Sequence, residues 1–459
     1  MTRIHFWGAA ETVTGSKYLI ETADQKILVD CGMFQGLKKL RKRNWEPLDI
    51  APTEIDAVVL THAHIDHTGY LPRLVKDGFR GPIYSTQATY ELCHILLRDA
   101  AYLQEEDARR ANRRGYTRHD PAKPLFDGND AEMALEFFQP VDFCPPGTAH
   151  SEQIDLGDGI KCGFHPAGHI LGAAWVDMEI DGKRWVFSGD IGRPNDPLMR
   201  PARPIEQADF LVLESTYGNR KHPDEDFSEG LAEVINRTAE RGGIVLVPAF
   251  AVGRSQTLMH LISQLKMQGE IDDIPVFLNS PMAVNASDLY FRWHELHRLD
   301  DQDCNRLSEG VTFVREADQS RALNRQRGPA IIISASGMIS GGRILHHIKA
   351  FGPDPRNTIV FCGFQAAGTR GEALVHGADS VKIHGDYIPI QAEVVELDGL
   401  SAHADYVELG DWVATLERAP RKIFLTHGEP SAQDAFRRYL HDRFGWECQI
   451  PQLGEVVEL

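Results

Sequence analysis

The 459-residue chain lacks long hydrophobic runs, paired cysteine motifs and an excess of positive charge. No apolar stretch approaches the roughly 18 residues that cross a bilayer. The N-terminus begins with strand-like sequence and shows no charged and then apolar leader, so we expect no secretory signal and no membrane partner. The seven cysteines are scattered, and none forms a C-x-x-C pair. This usage predicts a reducing, cytoplasmic location and excludes a disulfide scaffold.

The formal charge of −18 excludes a protein that coats nucleic acid through a generally basic surface. It does not exclude a nucleic-acid enzyme, because acidic residues can be metal ligands and bound metal offsets their charge. Positive charge is concentrated in two segments, residues 36–45 and 109–118. Either run, taken alone, is more often a solvated face than a track for phosphates.

The length predicts two or three domains. The first two hundred residues read as short strands and loops, with a helix over about residues 87–114. The middle contains buried-strand signals at 243–248, 274–278, 330–333 and 357–361, separated by helical patterns. That rhythm predicts a parallel sheet with crossover helices. After residue 389 the pattern of short strands and loops seen in the first two hundred residues returns, with strands expected at 393–397 and 422–426 and a helix near 432–443.

The most informative segment spans residues 61–69, reads THAHIDHTG, and follows the apolar run at 57–60. Strand residues alternate faces, so His62 and His64 leave the strand end on the same side. The chain then turns, and Asp66 and His67 can reach a neighbouring point. Imidazole and carboxylate ligands suit zinc, so one segment can serve two metal ions. A surface histidine cluster is disfavoured, because the segment lies in patterned sequence and further ligand types follow downstream.

Three strand ends offer partners for this segment. His169 and Asp190 each lie in a glycine-containing loop after a strand. A single His or Asp in such a loop is usually a turn or capping residue, but their order after the histidine segment favours the ligand interpretation. Asp30 ends another strand, and we expect its carboxylate to orient a ligating imidazole by accepting a hydrogen bond from the ring N–H.

The order of these residues resembles the metallo-β-lactamase superfamily. Three motifs resemble those of its β-CASP subfamily: LESTYG at 213–218, LSAHAD at 400–405 and THGE at 426–429. The likeness covers nearly the whole chain and is strongest to compact prokaryotic ribonucleases related to the nuclease subunit of the cleavage and polyadenylation specificity factor. It implies an α/β fold, an αββα sandwich interrupted by a β-CASP domain with a mainly parallel sheet. The implied domains are the N-terminal part of the sandwich at 1–208, the β-CASP domain at 209–388 and the C-terminal part of the sandwich at 389–459.

The resemblance also implies roles for individual residues. One zinc ion would be bound by His62, His64 and His169, a second by Asp66, His67 and His427, and Asp190 would bridge the two Zn²⁺ ions. Di-iron members carry Glu where this chain has His64, which favours zinc. A zinc-bridging hydroxide would attack a phosphodiester, with Asp66 orienting it. His403 would protonate the departing ribose oxygen, and Glu214 would position His403.

The histidine of the third motif, His427, is typical of RNA-processing members, whereas DNA-processing members commonly carry valine there. The implied substrate is therefore single-stranded RNA, and because such relatives often dimerise, the resemblance allows a homodimer. Loops rich in small residues at 251–255, 334–338 and 363–371 follow the strands of the parallel sheet, where anions commonly bind. Arg254 and Ser336 are candidate contacts to substrate phosphates, although each loop also reads as a tight strand-to-helix connection.

Three other functions stay open from the sequence. A metallo-hydrolase of a small-molecule ester or thioester needs the metal ligands but has no use for Glu214, His403 or the inserted sheet. A non-catalytic scaffold subunit of an RNA-processing complex would lose ligands, whereas every ligand position here is filled. A DNA nuclease is disfavoured by His427.

Overall fold

The computed structural model describes residues 2–115, 120–146, 154–223, 227–363, 365 and 368–459. Parts of the predicted basic segment 109–118 and of the loop 363–371 therefore lie outside the described residues. The chain divides into two compact units. The first unit comprises Met1–Asn195, Pro201–Lys221 and His403–Leu459, and the second comprises Asp196–Arg200 and His222–Ala402.

The first unit contains two seven-stranded sheets. One sheet contains β1 (Arg3–Phe6), β2 (Tyr18–Glu21), β3 (Lys26–Val29), β4 (Ala57–Val59), β5 (Ile83–Thr86), β6 (Phe138–Val141) and β22 (Val456–Glu458), in the spatial order β22-β1-β2-β3-β4-β5-β6. The other contains β7 (Ile154–Asp155), β8 (Lys161–Pro166), β9 (Ala174–Ile180), β10 (Lys183–Phe187), β11 (Phe210–Glu214), β20 (Lys422–Thr426) and β21 (Cys448–Gln449), in the order β21-β20-β11-β10-β9-β8-β7.

The two sheets pack face to face through one hydrophobic core. The rings of Phe6 and Phe424, one from each sheet, lie 5.1 Å apart, and those of Tyr18 and Phe187 lie 6.3 Å apart. Each buried aromatic side chain stabilises this packing by roughly 1.5–3 kcal/mol. Two helices of this unit pack on the sheets: α4 (Gln87–Arg114) contacts β5 and β6, and α14 (Pro430–Phe444) contacts β20. The helices are α1 (Lys38–Arg43), α2 (Ile65–Thr68), α3 (Leu71–Lys76), α4 (Gln87–Arg114), α5 (Gly128–Leu135), α13 (Tyr406–Val413) and α14 (Pro430–Phe444), with a short 3₁₀ turn at Pro52–Glu54.

The second unit contains a six-stranded sheet in which every pairing is parallel. Its strands are β12 (Ile244–Pro248), β13 (Val276–Leu278), β14 (Thr312–Phe313), β15 (Ala330–Ser334), β16 (Thr358–Phe361) and β19 (Glu393–Glu396), in the order β14-β13-β15-β12-β16-β19. The central strands are buried along their whole length, as expected when helices cover both faces.

Seven helices and a hairpin complete the described part of this unit. The helices are α6 (Phe227–Glu240), α7 (Arg254–Gln268), α8 (Pro281–Arg292), α9 (Asp301–Gly310), α10 (Ala317–Leu323), α11 (Ile344–Phe351) and α12 (Arg370–Val375), with a 3₁₀ turn at His294–Leu296. The hairpin pairs β17 (Ser380–Ile383) with β18 (Asp386–Pro389). Its two-residue turn, His384 and Gly385, has φ values of 53° and 102°. Positive φ at both positions matches the twist of the flanking strands.

The predicted parallel sheet and the predicted helix at 87–114 are confirmed. One expectation was wrong: the strand predicted at 393–397 does not resume the strand pattern of the first two hundred residues. It belongs to the second unit. Glu393–Glu396 pairs in parallel with Thr358–Phe361 at the edge of the second unit's sheet. The Glu393 carboxylate accepts from Arg237 at 2.7 Å and Arg241 at 2.8 Å, which ties it to this unit. The domain boundaries at 208 and 388 stay a prediction.

All seven cysteines are free thiols, and six of them are buried. Across the residues that the structure describes, no helix combines the length and apolar character needed to cross a membrane.

Candidate metal centre

The candidate site lies in the first unit, where strands of both sheets end. Strands β3 and β4 run parallel, and so do β10, β11 and β20. Because parallel strands end at the same edge, the residues that follow them are brought together. The residues that lie at or directly after these strand ends are Asp30, His62, Asp190, Glu214 and His427.

Four side chains form a first cluster, in which one ligand atom of each lies within 4.8 Å of the others: His62, His64, His169 and Asp190. His62 Nε2 lies 3.1 Å from His64 Nδ1, which lies 3.2 Å from His169 Nε2. Asp190 Oδ2 lies 3.3 Å from His62 Nε2 and 3.5 Å from His169 Nε2. Three ring nitrogens and one carboxylate oxygen therefore converge on one point.

Asp66, His67 and His427 form a second cluster of the same kind. His67 Nε2 lies 3.1 Å from His427 Nε2, and Asp66 Oδ2 lies 3.5 Å from the same His427 nitrogen. The cluster joins the segment after β4 to a residue 360 positions later in the chain. This pairing requires the second sheet to place the end of β20 beside α2.

Asp190 lies between the two clusters. Its Oδ2 faces the first cluster, while its Oδ1 lies 3.5 Å from both His67 Nε2 and His427 Nδ1 of the second. The residue is 2% exposed, and among the described residues Oδ1 has no hydrogen-bond partner. A buried carboxylate oxygen without a hydrogen bond is costly, and a bound cation would satisfy it.

The spacing of the donors fits zinc. Tetrahedral coordination with Zn–N bonds of about 2.0–2.1 Å places neighbouring donor atoms about 3.3 Å apart. The observed nitrogen separations of 3.1 Å and 3.2 Å in the first cluster and 3.1 Å in the second are close to that edge. The residues present therefore fit one metal ion in each cluster, with Asp190 offering one oxygen to each.

The electrostatics of the clusters favour cation binding. Burial and four neighbouring imidazoles hold the pKa of His62 well below its usual value, and burial lowers the pKa of His64 to about 4. Both rings are therefore neutral, as metal ligation requires. Burial also opposes a charge on His67, but the carboxylates of Asp190 and Asp30 outweigh it and raise the pKa of His67 to about 10. The two carboxylates thus favour a positive charge at the second cluster, and a metal ion bound there would replace the proton on His67 Nε2.

Asp30 orients His67. The His67 Nδ1–H donates to Asp30 Oδ2 at 2.7 Å, which leaves Nε2 free to face the second cluster. Asp30 is held in turn by the backbone N–H of Thr61 at 2.8 Å and by the Thr61 hydroxyl at 2.9 Å. Its backbone has a φ of 58°, a strained value for a residue with a side chain. Such strain is typical of residues whose position matters for function.

Replacing Asp30 with asparagine is expected to weaken metal binding at the second cluster by about 10–100-fold, the usual effect of losing an outer partner of a ligand. The amide cannot match the charge that the carboxylate provides to the His67 ring. Titration against a chromophoric zinc chelator measures the change. Asp24→Asn, which alters an exposed carboxylate of the β2–β3 connection, is the matched control. Equal affinities in Asp30→Asn and the control would contradict the orienting role.

A histidine–carboxylate pair lies beside the clusters. His403 Nδ1 lies 3.1 Å from Glu214 Oε2, while its Nε2 lies 3.9 Å from Asp190 Oδ2. Glu214 also accepts the backbone N–H of Ile191 at 2.6 Å, next to Asp190. The His403 side chain is 19% exposed, so it borders solvent. Burial opposes its charge, but Glu214 and Asp190 prevail and raise the pKa of His403 to about 9.

Comparison with known proteins identifies the fold and the family. Residues 12–216 match the model of the metallo-beta-lactamase superfamily, residues 255–374 that of the Beta-Casp domain, and residues 387–451 that of the Zn-dependent metallo-hydrolase RNA specificity domain. The chain is 38% identical to "Ribonuclease TTHA0252" of Thermus thermophilus, over 99% of both chains. The chain belongs to the β-CASP family of metallo-β-lactamases. The predicted family, fold class and assignment to the metal-dependent hydrolases are thereby confirmed.

Two further relatives differ from each other in how much of their own length this chain matches. The chain is 29% identical to the "RNase J-like protein" of Methanocaldococcus jannaschii over all of both chains. It is 32% identical to "Transcription termination factor FttA" of Methanosarcina mazei, over 94% of this chain and 67% of that protein. The relatives thus match nearly the whole of this chain, while the termination factor is the longer protein.

The structure brings together every residue that the sequence predicted as a metal ligand in this β-CASP protein, and it adds two threonines that the sequence did not suggest. Thr61 binds Asp30, as described above. The Thr216 hydroxyl lies 3.0 Å from His427 Nδ1 and donates to the His427 carbonyl oxygen at 3.0 Å. Thr61 lies two residues after β4, next to His62, and Thr216 lies two residues after β11, next to Ser215. A search of the sequence for polar residues just after strand ends could have identified both threonines.

Arg254 and Ser336 belong to the second unit. The guanidinium of Arg254 donates to the carbonyl oxygen of Cys362 and lies over the Phe250 ring at 5.4 Å. Ser336 Oγ accepts the backbone N–H groups of Ser340 at 2.9 Å and Gly341 at 3.3 Å. Each side chain therefore stabilises the end of a parallel strand. Their contact with substrate phosphates stays a prediction.

Proposed function

We propose that this protein is a zinc-dependent ribonuclease that hydrolyses phosphodiester bonds of single-stranded RNA. The observation that carries the proposal is the position of Asp190, whose two oxygens face the two ligand clusters while His403 borders the same carboxylate. Two adjacent cation sites with a proton donor beside them suit an in-line displacement at phosphorus. The match to an RNA specificity domain and the ribonuclease names of two relatives support RNA as the substrate.

Seven side chains would hold the metal. His62, His64 and His169 would bind one Zn²⁺, Asp66, His67 and His427 would bind the other, and Asp190 would bridge them. The mixture of imidazole and carboxylate donors suits zinc. When bound, zinc would lower the pKa of a water molecule to near 7 and would neutralise charge on the phosphate.

The chain's own groups would orient the reaction. Asp66 would orient the attacking water, because its carboxylate lies at the second cluster, 3.5 Å from His427 Nε2. Glu214 holds His403 Nδ1, so that the proton on Nε2 is directed toward the site. As the bond between phosphorus and the ribose oxygen breaks, His403 would donate that proton to the oxygen. Glu214 is thus a positioning residue that acts through His403.

End-labelled RNA tests the proposal. Zinc-loaded protein is incubated with a single-stranded oligomer carrying either a 5′ hydroxyl or a 5′ phosphate, and the product lengths are read. A DNA oligomer of the same sequence and a thioester are the matched comparisons. RNA cleavage without turnover of the thioester would support the proposal, and protein that holds two zinc ions but cleaves no RNA would contradict it. A homodimer and a cytoplasmic location stay predictions.

Removing the metal is expected to abolish RNA cleavage and to lower the melting temperature, with both restored by zinc. Ligand binding to the native state adds about 2.7 kcal/mol per site when free metal is at 100 times the dissociation constant. That gain corresponds to a rise of several degrees, at about 2–4 °C per kcal/mol for a domain of this size. Thermal unfolding before and after dialysis against a chelator measures it. Identical melting temperatures would contradict metal binding at the clusters.

A further inference from the structure

Residues that precede the two basic segments of the first unit contact each other beside α2, the short helix that carries Asp66. The backbone N–H of Met33 donates to the carbonyl oxygen of Ile65 at 3.0 Å, so the segment after β3 packs against the start of α2. The side-chain amide of Gln104, in α4, contacts Met33 Sδ at 3.5 Å. From Met33 the chain continues into α1, and from Gln104 the helix α4 continues to its basic end. The first basic run begins three residues after Met33 and the second begins five residues after Gln104, so both are close in sequence to this contact.

The cations of the first run are all exposed. Helix α1 buries none of its six residues. Its five cations have no ion pair with another described residue: Lys38, Lys39, Arg41, Lys42 and Arg43. The run is nevertheless anchored, because the Asn44 side chain is buried and bonds both the N–H and the carbonyl oxygen of Phe34, at 2.9 Å and 2.8 Å. Leu37 and Trp45 flank it and are 51% and 52% exposed.

The second run occupies the last turns of α4. Arg109 is paired with Glu105 and Glu106, at 3.4 Å and 3.2 Å. Arg110, Arg113 and Arg114 are exposed and have no ion pair within the described part of the chain. Earlier in the same helix, Tyr102 and Leu103 are 58% and 49% exposed. This end of the helix therefore repeats the combination found around α1, unpaired cations beside exposed apolar side chains.

Clusters of unpaired cations beside exposed apolar side chains require an explanation in a protein of formal charge −18. The long-range field of the chain repels a polyanion, and only a local concentration of cations offsets it. Unpaired lysines and arginines gain by contacting phosphates, because counterions are released from the nucleic acid. Exposed aromatic rings gain by stacking on unpaired bases, with roughly 1–3 kcal/mol per base. A merely solvated face would explain the cations but not the exposed Trp45 and Tyr102 beside them.

We propose that the exposed cations of α1 and of the last turns of α4, together with Trp45 and Tyr102, form a basic surface that binds single-stranded RNA outside the metal centre. The proposal rests on the proposed function, which it extends by assigning a binding site for the part of the strand that is not cleaved. Because Met33 links the segments that carry this surface to α2, RNA bound there leads toward the clusters.

The test compares two surface variants with a control of equal charge. Arg41→Ala/Lys42→Ala removes two cations of α1, and Arg113→Ala/Arg114→Ala removes two of α4. The control, Arg325→Ala/Arg327→Ala, removes two cations that precede β15, at the opposite end of that strand from the loop of Ser336. Each change is made in a His403→Ala background, and binding of a fluorescent 30-nucleotide unstructured RNA is followed by anisotropy over a range of salt concentrations.

Each surface variant is expected to bind the RNA at least tenfold more weakly at low salt, while the control binds like its parent. The slope of log affinity against log salt should fall by about 0.7 for each phosphate that the variant no longer neutralises. With His403 restored, turnover of bis(p-nitrophenyl) phosphate, which is too small to reach the surface, should stay within twofold of the unaltered protein. Unchanged RNA affinity, an equal loss of affinity in the control, or a matching loss of small-substrate turnover would each overturn the proposal. RNA binding that depends on the surface in a protein without RNA cleavage would uphold it and contradict the ribonuclease function alone.

Discussion

Alanine in place of Asp190 is expected to abolish nearly all RNA hydrolysis and to reduce bound zinc to one ion per chain or fewer. Asp190 offers one oxygen to each cluster, with both oxygens 3.3–3.5 Å from ring nitrogens of the predicted ligands. Without the carboxylate, two divalent cations would lie close together with only Asp66 to offset their charge. Metal ions supply several kcal/mol of charge stabilisation in such reactions, which corresponds to a loss of roughly a thousandfold or more. Zinc content by elemental analysis and RNA turnover measure the two effects.

A second buried carboxylate provides the control. Asp209 is also buried in the first unit, where it accepts from the backbone N–H of Arg184 at 3.0 Å and pairs with Arg421 at 3.0 Å. Asp209→Ala is expected to lower stability but to keep two zinc ions. Asp190→Asn, which preserves the side-chain volume, should retain more zinc than Asp190→Ala. An Asp190→Ala protein that folds and still holds two zinc ions would show that the carboxylate does not bridge them.

The sequence predicts this site well because the chemistry is concentrated at strand ends. A buried apolar run followed by polar residues indicates where a parallel strand stops, and parallel strands stop at a common edge. Asp30, the histidine segment and Asp190 are recognisable in this way without coordinates. The distant partner, His427, is different: its position depends on β20 lying beside β11, which local sequence does not specify. Only the resemblance to a known motif linked it to the second metal.

The errors and omissions have physical causes. Glu393–Glu396 reads as a half-buried strand whose partner the local sequence does not specify, and in the structure it pairs with β16 and forms ion pairs with Arg237 and Arg241. Thr216 contacts His427, whose φ of 50° is a backbone state that sequence patterns do not reveal. The two basic runs are separated by more than sixty residues, and the contact between Met33 and Gln104, which precede them in the chain, follows from tertiary packing.

Replacing His403 with alanine is expected to keep both zinc ions and to slow RNA cleavage by about 10²–10⁴-fold, the usual contribution of a positioned proton donor. The Nδ1 of His403 is bound to Glu214, and its ring borders solvent, where a leaving group would depart. The variant should also lose the alkaline limb of the pH–rate profile. That limb arises because a donor must be protonated, and a group whose pKa is raised loses its proton only as the pH rises through that higher value. Zinc analysis and a pH series of RNA turnover measure both expectations.

The leaving group distinguishes proton donation from a merely structural role. A nitrophenolate departs without being protonated, whereas a ribose oxygen needs a proton, so His403→Ala should slow bis(p-nitrophenyl) phosphate hydrolysis far less than RNA cleavage. Glu214→Gln should show the same pattern more weakly, because the amide still positions the ring but no longer favours its charge. His441→Ala, which removes an exposed histidine of α14, is the control and should leave both rates unchanged. Equal losses on the two substrates in His403→Ala would mean that the imidazole stabilises the site and does not protonate the leaving oxygen.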